Sequence, residues 1–419
     1  MDNSLDILII GGGIGGLALA LSLHDIGLKP RVFEQAKKIT PLGVGINLLP
    51  HSVRELTELG LLDELRATGI ETEELRFYTQ YGLEIQREPR GTKAGYNWPQ
   101  FSIHRGELQM LLYNAVRERL GPDSIKTAHN AIDLSQDGDK VSVNFTNSAT
   151  SKKKFTASAD IAIAADGIHS TIRKKYYPDE GNPLYAGINL WRGTTWQEPF
   201  LSGHTMILAG TLKTGKMVIY PISQPNKEGK TLINWVAEVR TDNYHNNDWS
   251  RPGQLKDFVH RYDNWVFDWL DVPSLFQNAE QVLEYPMVDR DPVDRWVFGR
   301  VALLGDAAHP MYSIGANGAG QAILDARTLA GLIKSNDNPI NALKEYEAER
   351  LPLTAGVVRA NRGDGPDYLL EVVAERAPEP IDDIHTVISQ KEIENIGAKY
   401  REITGYDRET LNSRGSLVQ

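Results

Sequence analysis

Three short stretches hold the residues best suited to chemistry. In the first, Gly11-x-Gly13-x-x-Gly16 follows an apolar run at residues 5–10, and Glu34 closes the next apolar run, "PRVFE". Gly11 permits a tight turn, Gly13 lets a pyrophosphate reach backbone N–H groups, and Gly16 lets helix and strand pack closely. A carboxylate at Glu34 accepts from the hydroxyls of an adenosine ribose and repels a 2′-phosphate. The stretch reads as a dinucleotide site for FAD or NAD rather than NADP. The second stretch is Asp166-Gly167, after "DIAIA" and ahead of a helix opening near Ser170. The third is "GDAAHPMYSIGANGAG", residues 305–320, where Asp306 ends the apolar run "VALL" and a glycine-rich loop leads into "QAILDARTLAGLI". A strand-end Asp is placed to bond a hydroxyl pair, and small residues let backbone approach a flat or anionic group.

These stretches need elements to hold them. Residues 5–10, the helix opening at Gly11 and ending near Gly27, and residues 30–34 make a βαβ unit. Helices are expected at 50–59 and 62–68, and an amphipathic one over 105–120, with Leu108, Leu111, Leu112 and Ala115 on one face. The alternation of "KVSVNF" at 140–145 predicts a half-buried strand, Lys152 to Lys154 a solvated turn, and residues 161–165 a core strand. From about residue 183 to 285 short β-rich runs dominate, with tryptophans at 191, 196, 235, 249, 265 and 269, which predicts a second, sheet-based layer. Residues 301–304 return to the first domain, and helices follow to about Asn361.

Composition narrows the function. The chain has 419 residues, 41% hydrophobic and 24% charged, with 45 Lys and Arg against 55 Asp and Glu, a net charge of −10. An acidic chain is a poor partner for nucleic acid. Without cysteine, thiolate zinc sites, iron–sulfur clusters, thiol nucleophiles and redox disulfides are excluded. No run reaches the ~20 apolar residues of a membrane span, and no basic leader precedes the first strand; the expectation is a cytoplasmic protein.

The three stretches, in this order and spacing, resemble the single-component FAD-dependent aromatic hydroxylases, the class of 4-hydroxybenzoate and salicylate hydroxylases, over about residues 5–361. "WRGTTW", "YPMVDRDP" and "GANGAGQAILDA" are most similar to members acting on phenazine carboxylates such as 5-methylphenazine-1-carboxylate. The resemblance implies an α/β fold: a discontinuous Rossmann-like FAD-binding domain (1–75, 100–182, 286–361), a β-sheet substrate domain layered on it (76–99, 183–285), and a helical C-terminal tail (362–419). It implies non-covalent FAD, NADH or NADPH as transient reductant, O₂, and hydroxylation of an aromatic ring through a flavin C4a-hydroperoxide. Gly11, Gly13, Ile14, Gly15, Gly16, Glu34 and Gln35 would hold the ADP half. Arg105 would meet phosphate or ribitol, Asp166 the pyrophosphate region, and Asp306 the ribityl chain. Gly318, Ala319 and Gly320 would present helix N–H groups to the flavin carbonyls, stabilising a reduced anionic ring. Some members carry a mobile arginine after the second strand. Here that loop reads "LGVGINLLP", which leaves the role unassigned and Gly45 as a backbone flavin contact.

On the substrate side the candidates are Trp191, Arg192, Tyr220, Met311 and Tyr312. Arg192 reads equally as a carboxylate reader or a structural ion pair. Tyr220 reads as pocket wall or core, the tryptophans mainly as core, and His309 as a brace for the loop after Asp306. The rival functions are an oxidase of the same fold, a non-catalytic FAD-binding protein and a plain NAD dehydrogenase. The chain is expected to act as a monomer or homodimer.

Overall fold

A computed structural model describes residues 5–150, 153–241, 251–363, 365, 367–404 and 407–418. Its first layer is a sheet in the order Val297–Phe298, Val301–Leu303, Ile161–Ala164, Ile7–Ile10, Arg31–Phe33, Ile125–Lys126, parallel except at the Val297–Phe298 edge. Central strands of such a sheet are covered on both faces and so are apolar at every position. Ile7–Ile10 and Ile161–Ala164 are buried throughout. The helices Ile14–Asp25, Arg105–Leu120 and Gly318–Ser335 pack together with this layer.

The Arg105–Leu120 helix begins where the His104 side chain accepts the Glu107 N–H at 3.4 Å, and ends at Gly121, whose φ of +92° suits glycine. Leu108, Leu112 and Ala115 are buried as expected, and Leu111 is half-buried.

The second layer is a sheet in the order Gln281–Asp289, Leu184–Gln197, Thr231–Arg240, Gly215–Pro221, Thr205–Thr211, Glu74–Tyr78, Glu84–Pro89. Only the Thr205–Thr211 and Glu74–Tyr78 strands pair in parallel. One face carries an aromatic core in which Trp191, Trp235 and Trp265 meet Phe258, Tyr262 and Phe276. All three tryptophans are core, as the sequence favoured for Trp235 and Trp265 but not for Trp191; Trp249 lies outside the described residues.

The C-terminal helices Tyr368–Arg376 and Gln390–Ile403 cover part of the other face, where Leu369, Leu370 and Val373 meet Leu75, Phe77 and Leu208. The last residues return to the first layer. Arg54 donates to the Leu411 and Gly415 carbonyls, and Arg414 pairs with Glu55.

One expectation fails locally. Lys153 and Lys154 open the exposed strand Lys153–Ala159 rather than forming a turn, because residues 153–159 pair antiparallel with 141–147; Lys152 is not among the described residues.

Candidate active site

A cleft of about 420 Å³ runs between the layers, within the ~300–1,000 Å³ usual for small-molecule sites. One wall holds Gly13, Ile14, Gly15, Arg105, Asp306 and Gly318. The opposite wall is a face of the second sheet, and its strand register lays the residues out in rows. Tyr220 and Thr194 flank Asn234; Val218 and Arg192 flank Val236; Lys216 and Leu190 flank Glu238. At about 3.3 Å per residue the first and last rows lie ~13 Å apart.

Adjacent residues on a strand face opposite ways. Arg192 lines the cleft, whereas Trp191 is 4% exposed on the far side and stacks on Phe258 at 5.2 Å. The expectation that Trp191 lines the pocket is therefore corrected: the alternation that delivers Arg192 to the cleft sends Trp191 into the core. Tyr220, Met311 and Tyr312 do line it.

Arg192 is held by neutral acceptors. Its Nη2 donates to the Gly45 carbonyl at 2.6 Å, and it shares a hydrogen bond with the Tyr220 hydroxyl, which also bonds Asn47. Its Nε is buried without a partner, and among the described residues Arg192 makes no ion pair. Gly45 in turn donates its N–H to Asn234 Oδ1 at 2.7 Å. A Cβ at Gly45 would stand 2.7 Å from Asn234 and Tyr220 atoms, so glycine is what lets the start of the strand Gly45–Leu48 lie against the sheet.

The glycine-rich turn divides into two kinds of position. A Cβ on Gly11 (φ +110°) would meet the Ala165 carbonyl at 2.3 Å, and one on Gly16 would meet the Gly11 carbonyl at 2.1 Å. These two close the turn and do not face the cleft. At Gly13 and Gly318 a Cβ would meet nothing within 4 Å, and both begin or precede helices, Ile14–Asp25 and Gly318–Ser335. Open space before two helix N-termini is a cradle for negative charge.

Asp306 is exposed to the cleft, and desolvation by the protein walls around it raises its carboxyl above the ordinary value, against the pull of His309 and Arg105. Behind it, Asp325 is fully buried. It accepts the Gly305 N–H at 3.1 Å and lies 2.5 Å from His309 Nε2 and 2.8 Å from Arg350 Nε. His309 thus braces the loop, as the sequence suggested.

The family described as FAD binding domain matches residues 4–361. The chain belongs to this FAD-binding family. It is 46% identical to the phenazine 1,6-dicarboxylic acid hydroxylase of Lysobacter antibioticus, over 85% of this chain and 89% of that one. It is 32% identical to the 3-amino-4-hydroxybenzoate 2-monooxygenase of Streptomyces cremeus, over 86% and 87%. A salicylate hydroxylase substrate complex shares the fold with a TM-score of 0.74 at 23% identity, over 100% of this chain and 99% of the other.

The residues present fit FAD. Besides the open positions at Gly13 and Gly318, Asp166 leaves its Oδ1 buried without a partner beside cleft-lining Ala165 and Gly167. Its other oxygen accepts the Thr171 N–H at 2.9 Å at the start of the Thr171–Tyr176 helix, and burial raises this carboxyl. Glu34 accepts the Gly12 and Ala36 N–H groups at 2.7 and 2.6 Å, and Gln35 is exposed beyond the strand end, outside the cleft lining. Gly318 and Ala319 line the cleft, but Gly320 does not. A Cβ there would lie 3.1 Å from His51 Nε2, so Gly320 serves the packing of two helices. Its expected contribution to the flavin, a backbone N–H in the first turn of the Gly318–Ser335 helix, is a separate feature from this packing. Burial, with Arg414 and Arg350 nearby, holds the His51 imidazole down at about 3, so it is neutral.

Several site residues escaped the sequence reading: Asn47, Lys216, Asn234, Glu238, Asp325 and Asp367. One of them, Lys216, had a usable signal. Lys216 and Val218 precede Tyr220 at intervals of two, which puts them on its face.

Proposed function

We propose that the protein is an FAD-dependent monooxygenase that hydroxylates a planar aromatic or fused heteroaromatic acid, of phenazine-carboxylate type, with NADH or NADPH as reductant and O₂ as oxidant. One observation carries the reading: a single cleft joins a dinucleotide cradle to a sheet face from which Arg192, without an ion pair among the described residues, enters the cleft. Bound FAD supplies the oxygen-activating chemistry, delivering one oxygen atom to the ring and the other to water at the expense of one NAD(P)H.

The chain's own residues bind and orient. Gly13, Ile14 and Gly15 offer backbone to the pyrophosphate, Glu34 faces the adenosine end, and Asp306 and Arg105 face the ribityl chain. Gly318, Ala319 and Gly45 bring backbone to the ring. Arg192, with Tyr220, receives the substrate carboxylate. Leu75, Met206, Leu208, Val218 and Val236 keep the aromatic plane in a dry, apolar slot. Among the described residues no helix is long and apolar enough to cross a membrane. We read the protein as cytoplasmic, a monomer or homodimer.

The test is NAD(P)H consumption by the FAD-loaded protein across phenazine, quinoline and benzoate carboxylates, with product mass analysis. The expected result is substrate-stimulated consumption and a product heavier by one oxygen. Hydrogen peroxide with no oxygen gain on any ring would make it an oxidase, and no stimulation by any acid would leave a binding protein.

A further inference from the structure

The end of the cleft remote from Gly45 carries a buried charged group that the proposed function does not use. Lys216 is 3% exposed and Glu238 is 5% exposed. They face each other across the register, with Lys216 Nζ 2.8 Å from Glu238 Oε2. Asp367, just before the Tyr368–Arg376 helix, closes on the same ammonium from the C-terminal tail. All three residues line the cleft.

One cation is thus matched against two carboxylates. Burial alone would lower the Lys216 ammonium, but Asp367 and Glu238 outweigh it and hold it above the ordinary value, so the lysine stays charged. Glu238 is more than nine-tenths buried, and its Oε1 makes no hydrogen bond among the described residues. Oδ1 of Asp367 likewise makes none. Neither oxygen is sealed inside the protein, and the space they open onto is the substrate slot, where each can accept from a bound ligand.

The contrast with Arg192 sets a direction along the slot. Arg192 stands one row closer to Gly45, bonded to neutral acceptors and, among the described residues, without an ion pair. Lys216 has no charge to spare. A carboxylate is therefore welcome at Arg192, while a second one beside Glu238 and Asp367 would meet like charge in a low-dielectric site.

Building on the aromatic-acid reading, we propose that Glu238 and Asp367, held by Lys216, form an accepting subsite that selects substrates with one carboxylate. The acid group sits with Arg192, and the opposite ring edge presents a hydrogen-bond donor or a positive charge. The C-terminal tail is thereby part of the substrate site. By this inference the chain differs from the Lysobacter relative, whose name specifies a dicarboxylic acid.

The test titrates the FAD-loaded protein, followed by flavin absorbance, with probes that differ by one carboxylate: phenazine-1-carboxylate against phenazine-1,6-dicarboxylate, and benzoate against terephthalate. The parent should bind the monoacid about tenfold more tightly, or better. Glu238→Gln and Asp367→Asn, which keep shape and hydrogen bonding to Lys216, should each shrink that ratio severalfold without lowering FAD content. A 6-amino derivative of phenazine-1-carboxylate, measured on the parent alone, should bind more tightly than the unsubstituted acid, so the inference stays testable if a variant misfolds. Equal binding of monoacid and diacid, or an unchanged ratio in folded, FAD-loaded variants, overturns this inference only. If no acid of either pair perturbs the flavin, the aromatic-acid reading falls and takes this one with it.

Discussion

Arg192 and Gly45 are joined by a 2.6 Å hydrogen bond from the guanidinium Nη2 to the backbone carbonyl, which ties the second sheet to the start of the short strand Gly45–Leu48. A residue that recognises substrate is thus also a strut to a backbone segment expected at the flavin. The two roles separate experimentally.

If Arg192 reads a carboxylate, Arg192→Lys keeps the charge but loses the planar fork, and KM should rise with FAD content unchanged. Arg192→Met should raise KM further, while a decarboxylated analogue should scarcely distinguish parent from variant. Steady-state kinetics on both substrates checks this. Normal turnover of carboxylates by the Met variant would leave Arg192 a strut alone.

Asp306→Ala should weaken FAD retention without unfolding the protein, because this carboxylate faces the cleft and not the core. Loss of a charge-assisted pair of hydrogen bonds is worth about 1.5–3 kcal/mol, roughly ten- to a hundred-fold in Kd. Equilibrium titration of the apoprotein with FAD reads the change, and parental affinity would refute the role.

Two alanine substitutions in one turn should part company. At Gly13 the added methyl meets nothing within 4 Å, so apoprotein stability should stay within about 0.5 kcal/mol while FAD binding weakens. At Gly16 the methyl would lie 2.1 Å from the Gly11 carbonyl, so the fold itself should suffer. Thermal melts of the two apoproteins, beside FAD titrations, show whether the order holds.

Asp325 gives the fold a defined acid sensitivity. Burial pushes its carboxyl up, but His309 and Arg350 outweigh burial and hold it below the ordinary value. A depressed folded-state value means the contribution is present above the unfolded value, ~3.9, and is lost as pH falls through the folded one. Asp325→Asn should cost roughly 3–5 kcal/mol near neutrality, and its deficit against the parent should narrow below about pH 4. Urea midpoints across pH test this; a deficit that persists undiminished into acid would assign the loss to packing instead.

Local signals carried the nucleotide half of the molecule into view. The Arg105–Leu120 helix announces itself by period and by its bounding residues, and Gly11 to Gly16 by spacing that a tight strand–helix turn requires. The substrate half was less legible because its face is set by register between strands distant in sequence. Trp191 and Arg192 look alike as neighbours until alternation separates them. Glu238 pairs with Lys216 across 22 positions, and Asp367 arrives from a tail 151 positions beyond the lysine. The packing of Gly320 was hidden for a similar reason: its neighbour His51 lies on another helix, and spacing alone does not bring the two together.

The order of strands in the first sheet has a consequence for the chain as it is made. Val301–Leu303 lies beside Ile161–Ala164, and five of the seven strands of the second layer are strung between them. The sheet edge next to Ile161–Ala164 therefore stays bare on the ribosome until some 300 residues have emerged, on the order of tens of seconds at about 5–20 residues per second. The turn bearing Asp306 arrives only with that late strand. A nascent chain can shape the adenosine end of its cradle early, but it cannot grip the whole cofactor until synthesis is three-quarters done. Truncated or stalled products should therefore emerge colourless.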